Sequence, residues 1–156
     1  MKKSEAFRGI LTAGLVVGVL DISSAFVIWW QRGVGARRGL QGIAAGLLGA
    51  KSFDGGMGTA SIGLGFHFFV ALVVVSIFYL ASRKLSSLTE HAVVSGLLYG
   101  IAVYIFMYWI LVPLVFPTAH HSMSRDVTAV IIHIVLIGLP IALVVRRFST
   151  EQFSES

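Results

Sequence analysis

The sequence predicts an all-α integral membrane protein, a four-helix bundle with a short interfacial or re-entrant helix between the first two spans. Of its 156 residues, 56% are apolar and only 12% are charged, whereas soluble domains carry roughly 25% charged residues. The apolar residues are gathered into four long runs, too many for a soluble fold of this size to bury. These runs cover residues 9–30, 60–82, 92–116 and 127–145.

Each run is long enough to cross a lipid bilayer as a helix. The hydrocarbon core is about 30 Å thick and requires roughly 20 helical residues. The runs lack the alternation of barrel strands, and backbone polar groups in lipid must be satisfied within the segment, so helices are expected. Residues 1–156 are therefore expected to form a single transmembrane domain.

The beginning of the chain also resembles a signal peptide. Lys2 and Lys3 precede the first apolar run, and Ser23-Ser24-Ala25 offers a cleavage pattern of small residues. However, the hydrophobicity continues as far as Trp29-Trp30, a pair typical of a membrane interface. The first run is therefore interpreted as a retained span.

Basic residues near the span ends predict the orientation and the kind of partner. The positive-inside rule favours both termini in the cytoplasm, since seven basic residues flank that side and five flank the other. Their scatter over short groups favours contact with membrane lipids and argues against nucleic acid, which requires a basic patch. One side carries Lys2, Lys3, Arg8, Arg83, Lys84, Arg146 and Arg147, and the other carries Arg32, Arg37, Arg38, Lys51 and Arg125.

Glycines at helical spacing predict close helix packing. The link between the first two spans contains an apolar stretch, residues 39–50, that is too short to cross the bilayer and has a glycine face of its own. Faces of small residues let a neighbouring backbone approach, so a second copy or another membrane subunit is an expected partner. The expected packing residues are Gly14, Gly18, Gly42, Gly46, Gly96 and Gly100.

Four polar side chains inside the spans are expected to lie at similar depth. Asp21 is the only formally charged residue in the four runs, and it shares a helical stripe with small residues, so it should face protein. At about 1.5 Å per residue, His67 and His133 lie roughly 10 Å below the non-cytoplasmic surface. Antiparallel helices would bring Asp21, His67, Tyr108 and His133 together in the outer half of the membrane.

Three interpretations of this polar cluster are open from the sequence. The groups can hydrogen-bond one another and lock the bundle, or a carboxylate beside a histidine can carry protons or a cation. His67 and His133 could also ligate a haem or a metal ion from facing helices. No cofactor is predicted, and the absence of cysteine excludes disulfides and thiolate-bound centres within this chain. His120 and His121, in the loop after the third run, are interpreted as solvated residues or a metal-entry or pH-sensing element.

Several segments resemble a group of small bacterial four-span inner-membrane proteins with no assigned activity. Leu20-Asp21-Ile22-Ser23-Ser24-Ala25, Leu40 through Gly49 and Gly65-Phe66-His67-Phe68 carry the likeness, and Gly96-Leu97-Leu98-Tyr99-Gly100 and His133 through Ala142 continue it. The chain is also distantly similar to the YagU-like proteins. The resemblance implies a four-span bundle in the bacterial inner membrane and supplies no mechanism.

The function expected from the sequence is that of a structural, accessory or stress-related membrane component. Signatures of soluble enzymes, such as G-x-S-x-G, H-E-x-x-H and phosphate loops, are missing from the sequence, which argues against an enzyme; a membrane enzyme that acts on lipid is a further alternative. The alternative is a small transporter or a proton- or cation-conducting protein that uses Asp21, His67 and His133, because ionisable groups inside a bilayer often mark a transport pathway.

Overall fold

Most residues in the described part of the computed structural model, 3–117 and 122–150, lie in helices. No strand occurs within these ranges, which confirms the all-α prediction; His120 and His121 lie outside them. In chain order the elements are α1 (Lys3–Gln31), α2 (Ala36–Leu48), a 3₁₀ turn (Gly49–Phe53), α3 (Gly56–Ser82), α4 (Ser87–Glu90), α5 (Ala92–Ile105), a π-helical segment (Phe106–Leu111), α6 (Val112–Val115), α7 (Met123–Ile132), a second π-helical segment (His133–Gly138) and α8 (Leu139–Thr150).

Four helical stretches are long and apolar enough to cross a membrane, so the protein is a multi-pass membrane protein. We call them spans 1 to 4: Phe7–Gln31, Gly56–Ser82, Ala92–Val115 and Met123–Phe148. The second and fourth begin about one turn earlier than the apolar runs, because hydropathy marks where hydrocarbon begins while the helix continues into the headgroup region.

The buried apolar cluster lies mainly in the half of the bundle where span 1 begins and span 4 ends, which we call the terminal half. Val17, Val75, Phe78, Ile141 and Val145 are each no more than 2% exposed there. They belong to one apolar cluster with contributions from all four spans. This half of the bundle is therefore closed by side-chain packing. The opposite half, which carries α2, is called the α2 half.

Glycines bring the spans into backbone contact. A Cβ atom on Gly100 would lie 2.6 Å from the carbonyl oxygen of His133, and one on Gly96 would lie 2.9 Å from that of Gly138, so spans 3 and 4 touch through their backbones. Between spans 1 and 2, a Cβ on Gly14 would lie 2.5 Å from Leu72. The predicted glycines of spans 1 and 3 thus face neighbouring helices, and Gly18 does so as well, against Phe68.

α2 lies across the end of the bundle, where the sequence predicted a short helix. Gly39 packs on the indole ring of Trp29 from span 1, and the carbonyl of Leu40 lies against Gly63 of span 2. A Cβ on Gly46 would lie 3.4 Å from Phe66 and 3.8 Å from Val115 of span 3, an ordinary contact, whereas one on Gly42 would meet open space. Within this chain, Gly42 is therefore not a close packing contact.

A buried glutamine fixes α2 to the start of span 2. Gln41 is 3% exposed, and its Nε2 donates to the carbonyl of Gly56 at 3.1 Å and to Thr59 Oγ1 at 3.3 Å. Thr59 in turn donates to the carbonyl of Ser52 at 2.6 Å. These bonds tie α2, the 3₁₀ turn and span 2 into one unit.

Candidate functional site

A cavity of about 650 Å³ lies among the four spans and α2. The end of the cavity beside α2, which we call its mouth, is lined by charged side chains of span 4, α2 and the residue that follows span 1. Its floor, near the middle of the spans, is made of apolar side chains from each span. The mouth residues are Arg32, Arg38, Arg125 and Asp126, and the floor residues are Val17, Val74, Val103 and Ile137.

The cavity ends where spans 2 and 3 come together. The Tyr99 hydroxyl donates to the carbonyl of Val74 at 2.7 Å, and the Tyr99 and Phe78 rings lie 5.0 Å apart. These contacts close the gap in the terminal half. Nearer α2, the facing walls of the two spans, with Val70 on one and Leu111 on the other, border the cavity instead.

All four residues of the predicted polar cluster lie on the wall of this cavity. Asp21, His67, Tyr108 and His133 come from spans 1, 2, 3 and 4 in that order. The side chain of Asp21 is 29% exposed and that of His67 is 11% exposed. The carboxyl group of Asp21 interacts electrostatically with both histidines. The four residues that the sequence placed at similar depth thus line one cavity.

The imidazole of His67 is held in one tautomer by span 1. Its Nε2 lies 3.0 Å from the carbonyl oxygen of Gly18, and because a carbonyl only accepts, Nε2 carries a hydrogen. Its Nδ1 lies 4.0 Å from Asp21 Oδ2. In the neutral ring this nitrogen presents a lone pair toward the carboxylate, so one additional proton, on either group, turns a repulsive pair into an attractive one.

The imidazole of His133 is fixed in the same manner by its own helix. Its Nδ1 donates to the carbonyl of Ala129 at 2.8 Å, so the remaining Nε2 keeps the lone pair. Its ring stands edge-on to two tyrosine rings, 5.9 Å from that of Tyr104 and 5.7 Å from that of Tyr108. The hydrogen bonds described for both histidines go to backbone carbonyls.

The site places one carboxylate beside two imidazole rings. Within residues 3–117 and 122–150, no three His, Cys, Asp or Glu side chains converge closely enough to bind a metal. One nitrogen of His67 and one of His133 are engaged by backbone carbonyls. Asp21 then provides a carboxylate beside two fixed imidazole rings, a grouping that stores a charge in a partly buried place.

Two π-helical segments border the site, and sequence reasoning did not foresee them. Tyr108 lies in the segment Phe106–Leu111 and His133 begins the segment His133–Gly138. Each ends two residues before a proline, Pro113 or Pro140. Proline lacks an N–H and clashes with the carbonyl four residues earlier, and a wider preceding turn relieves that clash. A proline inside an apolar run was the sequence feature that could have indicated an irregular helical turn.

Sequence reasoning also missed the role of the arginines at the mouth. Arg32, Arg38 and Arg125 were interpreted as anchors for lipid headgroups, yet each lines the cavity. Arg37, the neighbour of Arg38, does not belong to the lining and is exposed. The two neighbouring arginines differ because of the way α2 lies across the end of the bundle, which turns one toward the cavity and the other away from it. Hydropathy alone does not predict how α2 lies.

Comparison with known proteins adds no family to this picture. No family model, no curated protein and no solved structure matches the chain. The resemblance to small bacterial four-span proteins and to the YagU-like proteins therefore stays a prediction.

Proposed function

We propose that this protein is a small proton-linked transporter. One observation carries the proposal: the cavity extends from charged residues at the α2 end, past Asp21, His67 and His133, to an apolar floor, beyond which the terminal half is packed. Transporters bind substrate and coupling ion near the bilayer midplane and expose that site to one side at a time. In this proposal, the structure is the state in which the site is reached from the α2 end.

The depth of the ionisable pair fits this role. Asp21 lies ten residues from the end of span 1 at Gln31, which is about 15 Å along a helix, so it lies well inside the roughly 30 Å hydrocarbon core. A proton that arrives through the cavity binds between Asp21 and Nδ1 of His67. It removes the net negative charge of the pair, so a rearrangement that encloses the site becomes less costly.

The proposed location is the bacterial inner membrane, with both termini in the cytoplasm. The excess of basic residues near the terminal half supports this orientation. The α2 end of the cavity then faces the periplasm. A substrate entering from that side with a proton would be taken up, since the proton gradient of bacteria is directed inward.

A structural or accessory role is the second candidate. The hydrogen bond from His67 to the carbonyl of Gly18 joins spans 1 and 2, and such bonds stabilise membrane helix pairs by about 1 kcal/mol. In this case the Asp21 carboxylate would contribute through hydrogen bonding alone, which an amide can replace.

Asp21→Asn separates the two functions. Wild-type protein and the variant are reconstituted into vesicles loaded with a pH-sensitive dye, and small acids, amines and neutral compounds are added outside. We expect at least one class to acidify the interior only when wild-type protein is present, and Asp21→Asn to abolish this while remaining folded. Asp54→Asn, an exposed acid outside the cavity lining, is the matched control and should behave as wild type.

The same experiment has an outcome that contradicts the transport proposal. If no compound class produces a protein-dependent pH change, while circular dichroism shows that the reconstituted wild-type protein is helical, the transport proposal is wrong and the structural role is favoured.

A further inference from the structure

Three arginines from separate parts of the chain converge on the mouth of the cavity. Arg32 follows span 1, Arg38 lies in α2 and Arg125 lies in the first turn of span 4. The guanidinium of Arg38 stacks over the Phe53 ring, 4.5 Å from its centroid. Nε of Arg125 donates to Ser122 Oγ at 2.7 Å. These contacts give two of the cations defined positions at the entrance.

The charges on the cavity wall favour an anion. The cavity wall carries three guanidinium groups and two carboxylates, Asp126 at the mouth and Asp21 deep inside. A guanidinium presents a planar set of donors that matches carboxylate and phosphate oxygens. A cation at this end of the cavity would lie near three like charges.

Between the mouth and the polar cluster, the wall is apolar. Ile28, Phe66, Val112 and Val115 line this zone together with the indole of Trp29. The volume of about 650 Å³ lies within the roughly 300–1,000 Å³ of small-molecule sites. A ligand that fills this zone needs an apolar body as well as a polar end.

We infer that the ligand is an amphiphilic organic anion, whose carboxylate or phosphate group binds the mouth arginines and whose apolar body occupies the wall below them. This inference rests on the proposed function and names its substrate class. The anion binds together with the proton: charge on Asp21 repels it, and a proton shared with His67 removes that repulsion. The other titratable groups facing Asp21 are His133 of span 4 and Tyr108 of span 3.

Binding of a charge-matched series to the wild-type protein tests this inference. Decanesulfonate keeps its negative charge across the usable pH range, decanol is neutral and decyltrimethylammonium is positive. Equilibrium dialysis in a neutral detergent measures the affinity of each compound. We expect decanesulfonate to bind at least about tenfold more tightly than the other two, because only the anion gains from the arginines. Equal affinity for decanol would overturn the inference.

Adjacent arginines provide a matched pair of variants. Arg38→Gln should weaken decanesulfonate binding roughly two- to fivefold, the range expected of a partly exposed ion pair, and Arg32→Gln/Arg38→Gln about tenfold. Arg37→Gln removes the same charge at the adjacent residue, outside the cavity lining, and should change the affinity for decanesulfonate less than twofold. A similar loss in Arg37→Gln would show that only overall charge matters, and the site at the mouth would be rejected.

Linkage to the proton has its own signature. Affinity for decanesulfonate should rise as pH falls in wild type, and by thermodynamic reciprocity the anion should promote proton uptake. Asn at position 21 mimics the protonated carboxyl, so Asp21→Asn should bind tightly at every pH, while Asp54→Asn keeps the wild-type profile. A pH profile unchanged by Asp21→Asn would overturn the linkage.

Two further results identify the source of the anion and separate the proposals. Displacement of decanesulfonate by phosphatidylglycerol, but not by phosphatidylcholine, identifies an anionic lipid of the bilayer; a lack of displacement identifies a free amphiphile. If decanesulfonate and decanol bind equally while another compound class gives pH changes that depend on Asp21 in vesicles, the anion inference is wrong and the transporter proposal stands.

Discussion

At the scale of single residues, the role of His67 depends on which of its nitrogens carries hydrogen. Nε2 donates to the carbonyl of Gly18, so the nitrogen nearer Asp21 is the one available for a second proton. A glutamine at this position can still donate an N–H to Gly18 but cannot bind a proton. The structural and the proton-carrying roles of His67 can therefore be separated by substitution.

We expect His67→Ala to lower the free energy of unfolding by about 0.5–1.5 kcal/mol, the usual net contribution of one hydrogen bond. His67→Gln should lose less than half of that, because its amide keeps the bond to the Gly18 carbonyl. Both variants should lose proton-linked transport. Unfolding by sodium dodecyl sulfate, followed by circular dichroism, measures the stability. His91→Gln, at an exposed residue outside the cavity lining, is the control; a transport-competent His67→Gln would contradict the role assigned to the ring.

Sequence reasoning was informative at this scale where helix geometry alone determines position. Counting residues from the span ends placed Asp21, His67, Tyr108 and His133 at similar depth, and the structure places all four on one cavity wall. The same counting could not predict the cavity that lies among these side chains. A cavity depends on side-chain packing across four helices, and a count along each helix contains none of that information.

At the scale of the helices, spans 3 and 4 hold two walls of the site together through a backbone contact. A methyl group on Gly100 would lie 2.6 Å from the carbonyl oxygen of His133, the residue that also carries the imidazole of the cluster. Any widening of this contact therefore moves His133 relative to Tyr108, whose rings are 5.7 Å apart. The glycine contributes to the site without touching its ligand.

Gly100→Ala should destabilise the protein by about 1–3 kcal/mol, the usual range for overpacking a tight contact. Gly42→Ala provides the control, since its Cβ would meet open space, and its free energy of unfolding should change by less than about 0.5 kcal/mol. Denaturation in mixed micelles compares the two. Equal stability of the variants would show that spans 3 and 4 are less tightly apposed than the structure indicates.

The helix boundaries show what hydropathy can and cannot determine. Four spans and a short helix followed from run lengths, because the bilayer sets the length of an apolar helix. The π-helical segments did not follow, although Pro113 and Pro140 lie two residues beyond them. A proline predicts a perturbed helix, but whether it bends, breaks or widens is decided by the neighbouring helices.

At the scale of the whole molecule, the bundle contains a cavity in the α2 half and is packed in the terminal half. The absence of cysteine from the sequence makes this asymmetry directly measurable, because a single introduced thiol is the only one in the chain. Ala25 lines the cavity in the α2 half, while Ala13 is fully buried in the terminal half. A maleimide that cannot cross membranes reports on water access to each position.

We expect Ala25→Cys to react with the maleimide in intact cells and Ala13→Cys to stay unreactive until the protein is denatured. Met57→Cys and Ser86→Cys, both at exposed residues, are controls for the two sides of the membrane. The maleimide should label the first in intact cells and the second only after the membrane is opened. Reaction of Ser86→Cys in intact cells would contradict the proposed orientation.

If the site is exposed to one side of the membrane at a time, labelling should also depend on the amphiphile. Enclosure around the bound anion and proton would shield the cavity wall, so decanesulfonate at low pH should slow labelling of Ala25→Cys and leave that of Met57→Cys unchanged.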